Sequence, residues 1–76
     1  KMQEKIIRFQ TVDEIKEFVG AACKCPFDID VVSGRITIDA KSILGMLSVN
    51  WKDELRVVYE ARNERFNNVV KKYAVG

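Results

Sequence analysis

Seventy-six residues carry 13 Lys and Arg against 11 Asp and Glu, for a formal net charge of +2 and no histidine. That length holds one domain, residues 1–76, and so balanced a charge gives no general pull towards nucleic acid or an acidic membrane. Without histidine the chain lacks the commonest general base, the commonest metal ligand and any route through phosphohistidine.

Lys5 to Gln10 sets Ile6, Ile7 and Phe9 among charged residues, which predicts a first strand with Ile7 and Phe9 on one face. Thr11-Val12-Asp13-Glu14 has the capping-box pattern. Thr11 is expected to accept from the Glu14 backbone N–H, while the Glu14 carboxylate reaches back to the N–H of Thr11. Val12, Ile15, Phe18, Val19 and Ala22 then fall at helical spacing, so a helix over 12–23 is predicted, stopped by Pro26. Phe27-Asp28-Ile29-Asp30-Val31 and Arg35-Ile36-Thr37-Ile38-Asp39 alternate on either side of Ser33-Gly34, a β-hairpin over 27–39. Ser42 is placed to cap a short helix within 40–49. After a polar connection containing Trp51, a fourth strand is expected at 55–59. Phe66, Val69, Val70 and Tyr73 mark a last helix over 62–74.

The predicted order is β-α-β-β-α-β-α, and one-sided patterning makes it an α+β two-layer open-faced sandwich: a four-stranded antiparallel sheet with helices on one face. No run nears the roughly 18 apolar residues of a membrane span, and no apolar stretch follows the basic start as a signal peptide needs. Met2 reads as the natural start, and a cytoplasmic location with reduced thiols is expected.

Asp39-Ala40-Lys41-Ser42-Ile43-Leu44-Gly45-Met46-Leu47-Ser48 resembles the regulatory-serine segment of the HPr phosphocarrier family of the bacterial sugar phosphotransferase system. The likeness extends to the helix end at Ala22-Cys23-Lys24 and to the spacing from Asp28-Ile29 onward. The resemblance implies an HPr-like fold, a serine at 42 phosphorylated by a dedicated kinase, and a short helix that docks partner enzymes and a transcription regulator. It also implies a phosphoryl-carrying histidine in a His-x-Arg-Pro segment, and here the sequence departs. The histidine position falls on Thr11, the arginine on Asp13 and the proline on Glu14. Two carboxylates at a helix N-terminus repel the phosphate that such a site would hold.

The expected function is that of a regulatory or partner-binding module without phosphohistidine transfer, and not an enzyme. Its candidate residues are Ser42 as the phosphorylation site and Ile43, Leu44 and Leu47 as the partner surface, with Trp51 near by. Ser42 has the plainer reading of a simple helix cap, and the apolar helix that of ordinary core. The expected partner is a protein, a kinase or a transcription regulator; the alternative is a homodimer through the same helix. Cys23 and Cys25 read as small buried hydrophobes, with a transfer or redox component using them, or Thr11 as phosphoacceptor, as the rival class. No metal or cofactor is expected. Asp28, Asp30 and Asp39 read as a solvated strand face, and Glu64 interrupts the basic run of Arg62, Arg65, Lys71 and Lys72, so no nucleic-acid surface is expected.

Overall fold

The computed structural model describes residues 1–76 as β1 (Met2–Ile7), α1 (Val12–Cys23), β2 (Asp30–Ser33), β3 (Ile36–Asp39), α2 (Ile43–Ser48), β4 (Leu55–Glu60) and α3 (Glu64–Tyr73). The strands form one four-stranded sheet in the order β1-β4-β2-β3, antiparallel throughout. The α+β open-faced sandwich expected from patterning is the fold of the chain.

Alternation fixes which face of the sheet is covered. Leu55, Val57 and Tyr59 of β4 and Val31 of β2 are buried beneath the helices, whereas Arg56 and Asp30 lie on the exposed face. Asp28, Asp30 and Asp39 are all exposed, and no three acidic or thiol side chains gather as a metal set. The helix-side residues form one core of 19 buried side chains with no polar or charged member. Rings run through it in series: Phe9 meets Tyr73 at 5.1 Å and Phe18 at 5.3 Å, Phe18 meets Phe66 at 5.5 Å, and Phe66 meets Tyr59 at 5.4 Å. α1 and α3 are thereby fastened to each other and to the sheet.

The helix α1 covers the predicted span. Thr11 is its cap, with the Glu14 N–H donating to Thr11 Oγ1 at 3.2 Å. The Glu14 carboxylate, however, accepts from the N–H of Gln10 at 2.7 Å rather than from that of Thr11. Val12 is exposed, and Ala21 takes its place in the buried stripe. The first strand lies earlier than predicted. It ends at Ile7, because beyond that point the Arg8 N–H donates to the Tyr73 carbonyl (3.1 Å) and that of Phe9 to the Trp51 carbonyl (3.5 Å), and the chain leaves β4. Phe9 nonetheless shares Ile7's buried side. Likewise Phe27 and Ile29 keep the inward alternation but precede the ladder, which begins at Asp30. Asn63, not read as a cap, starts α3 by accepting from the Phe66 N–H at 2.8 Å. Gly34, at φ 60°, supplies the left-handed residue that the β2–β3 turn requires.

Glu17 on α1 accepts hydrogen bonds from the Tyr73 hydroxyl and from Lys72 Nζ (3.1 and 3.2 Å), tying α1 to the end of α3. The Tyr73 bond first, and the Lys72 bond second, hold the Glu17 carboxyl below its ordinary 4.5. A carboxyl lowered by folding contributes stability that is complete above its unfolded pKa and lost as pH falls through its folded pKa. Glu17→Gln should therefore be less stable than the parent at neutral pH, the gap closing below the carboxylate range in urea denaturation at graded pH. Phe18→Ala, which removes the ring joining Phe9 to Phe66, should cost about 3–5 kcal/mol by the same measurement.

Candidate functional surface on the short helix

α2 is six residues long, too short to hold together by propensity alone. Its position comes from anchors on either side. Ala40 and Met46 are fully buried, and Ile43 and Val49 lie partly buried against the core. Before the helix, the Ala40 N–H donates to the Ile29 carbonyl at 2.9 Å and the Lys41 N–H to Asp39 Oδ1 at 2.9 Å, which turns the chain off β3. Lys41 Nζ reaches the Cys25 carbonyl at 2.9 Å, fastening this turn to the segment that leaves α1.

Ser42 is the cap that the sequence predicts. Its Oγ accepts from the Gly45 N–H at 3.0 Å. Gly45 suits the site sterically, because a Cβ there would stand 3.2 Å from that same oxygen. At the other end the Ser48 hydroxyl donates to the Gly45 carbonyl at 2.7 Å, closing the short helix on itself.

The partner-surface residues divide. Leu44 is 79% exposed and Leu47 38%, while Ile43 turns partly to the core and contributes to packing as well as to surface. Trp51 is half-buried against the core, and its carbonyl holds the Phe9 N–H. Leu44 thus stands as the most exposed large apolar side chain of the molecule. A leucine kept in water forgoes about 1.5–3 kcal/mol that burial would return.

The other candidates are placed apart from this surface. Thr11 is exposed, and its hydroxyl is engaged by the cap of α1, with Asp13 and Glu14 in the first turn. Cys25 is buried and donates to the Ala21 carbonyl, and burial pushes its thiol pKa up, away from the reactive thiolate. Cys23, expected to be buried, is exposed instead. It ends α1 on the side facing the 41–42 turn, with its Sγ 3.6 Å from the Lys41 carbonyl. The two thiols are not bonded to each other. Lys72 on α3 is committed to Glu17, and Arg62, which precedes the helix rather than lying on it, to Glu60 at 3.2 Å, so the basic run is half neutralised. No helix is long and apolar enough to cross a membrane. One further feature was not read from the sequence, a surface cavity between β1, β4 and α3.

No family model, no curated protein and no solved structure matches this chain.

Ser42→Ala should cost about 1 kcal/mol and speed amide exchange at Gly45 and Met46, whereas Ser42→Asp, itself a good cap, should keep the parent's stability.

Proposed function

We propose that this chain is an HPr-like regulatory module of the bacterial phosphotransferase system, cytoplasmic and incapable of phosphohistidine transfer, that docks a protein partner through α2 under the control of phosphorylation at Ser42. One observation carries the reading: Leu44, 79% exposed, follows within two residues a half-buried serine whose hydroxyl sits at the N-terminus of a helix. Supporting it are the β-α-β-β-α-β-α order, the Asp39-to-Ser48 resemblance and the absence of histidine.

The electrostatics of the turn say how such a switch works. A phosphoryl group on Ser42 brings a charge of about −2 to the positive end of α2. The neighbouring cation, Lys41, donates from Nζ to the neutral Cys25 carbonyl, which holds it in place and leaves its charge intact. The helix end and Lys41 offset part of the new charge, and the remainder is read by a cation on the partner, beside the apolar contact that Leu44 and Leu47 make. A transcription regulator or the kinase itself fits that description.

The test is incubation with ATP and the serine kinase of the HPr family, followed by peptide mass mapping. One phosphate at Ser42, absent from Ser42→Ala, is expected, and no transfer at all overturns the regulatory reading. Phosphoenolpyruvate with the first enzyme of the system should leave the protein unlabelled. Leu44→Asp should weaken kinase binding at least tenfold while changing stability by only about 0.5 kcal/mol, since the side chain is exposed. Concentration-dependent dimerisation lost in Leu44→Asp would instead assign the surface to a second copy of the chain.

A further inference from the structure

The single surface cavity, about 290 Å³, lies at the β1 edge of the sheet, the opposite edge from β3 and α2. Asn67, Val70 and Lys71 present one face of α3 to it at helical spacing, joined by Ala74, the extended residue that ends the helix. From the sheet come Gln3 and Lys5, which share the inward side of β1 with Ile7, and Tyr59, the register partner of Gln3. Two polar residues thus stand where β1 would otherwise continue the core.

The polar groups around this cavity lack partners. The Tyr59 ring is buried, while its hydroxyl reaches solvent at the cavity and makes none of the side-chain hydrogen bonds of the protein. Asn67 Nδ2 donates to the Ala61 carbonyl at 3.3 Å, which leaves Oδ1 as the one enclosed side-chain oxygen without a partner. Buried polar groups are ordinarily satisfied, so the orphaned Asn67 oxygen, at a cavity where the Tyr59 hydroxyl also has no protein partner, is informative. Lys5 and Lys71 take part in none of the four ion pairs, whose cations are Arg8, Arg56, Arg62 and Lys72. No acidic residue lines the cavity, while Val70, Ala61 and Ala74 give it an apolar side.

From this juxtaposition we infer a binding site for a small hydroxyl-bearing organic anion, a carboxylate or a phosphate monoester. Its oxyanion meets the ammonium groups of Lys5 and Lys71, and its hydroxyl supplies the missing hydrogen bonds at Tyr59 and Asn67. Its carbon skeleton rests on Val70. The volume, next to the lower bound of the roughly 300–1,000 Å³ of small-molecule sites, suits a small ligand. The inference is independent of the α2 reading, with which it shares no residue.

The test is amide NMR titration of the whole chain with L-malate, glycerol 3-phosphate and inorganic phosphate. Saturable shifts at Gln3, Lys5, Tyr59 and 67–71 are expected with at least one organic anion, more tightly than with inorganic phosphate. A response to malate alone assigns a carboxylate ligand, and one to glycerol 3-phosphate alone assigns a phosphate ester. Lys5→Gln/Lys71→Gln, which alters two exposed side chains and should keep the parent's amide dispersion, should lose at least tenfold in affinity, and Tyr59→Phe severalfold. Shifts that do not saturate, that survive in the double lysine variant, or that are as strong with inorganic phosphate as with both organic anions overturn the site.

Discussion

Five rings in contact, Tyr73, Phe9, Phe18, Phe66 and Tyr59, are the constraint on which the remaining architecture rests. They draw one member each from α1 and from β4, two from α3, and one from the connection between β1 and α1. Edge-to-face and tilted rings hold their neighbours at set angles as well as distances, so the series fixes how α1 and α3 cross the sheet. A chain of this length buries a smaller share of its surface than a larger domain does, and concentrating burial in a few large side chains is an economical answer. α2 contributes no ring. It is attached by Met46, by two partly buried aliphatics and by the hydrogen-bonded turn at Asp39 to Ser42. The element proposed to meet a partner is thus the helix least bound into the core, as is usual for segments that bind.

Period and capping made most of this legible in advance. The span of α1 followed from Thr11, the apolar stripe and Pro26, and the position of α2 from Ser42. Local chemistry decides such elements, and local chemistry is visible in a sequence. The errors arose where tertiary pairing decides. The end of β1 depends on where β4 and the segment after α3 meet it, and the start of β2 on where β3 can reach. Cys23 was misread because a thiol at a helix end packs or not according to which element crosses it. The cavity was hidden for a similar reason, since Gln3 and Lys5 meet Asn67 and Lys71 only in the fold. One signal was nevertheless available: Gln3 and Lys5 are in phase with Ile7, so a polar inward face on β1 could have been suspected.

The N-terminus of α1 shows how an anion site is closed by the protein itself. A carboxylate at the third helical position supplies the negative group that a helix start attracts, and Glu14 does so while holding the Gln10 N–H. The chain gains a firm helix start and gives up a place where phosphate could rest. Ser42 at the start of α2 has no acidic residue in the first turn behind it, so the two helix starts differ in the charge they would accept.

The outer flank of β1 is finished by the tail of the chain, where the Val75 N–H donates to the Ile6 carbonyl at 2.9 Å and Ala74 forms an antiparallel bridge with Ile7. The tail consequently heads back along β1 in the direction of residue 2, with residue 75 beside Ile6, four residues short of Met2. A force pulling the two chain ends apart loads these hydrogen bonds in sequence rather than together, peeling Val75 from Ile6 before Tyr73 from Arg8. Mechanically, the molecule is a zipper with its slider at the chain ends, weak under tension along that line however firmly its rings resist heat.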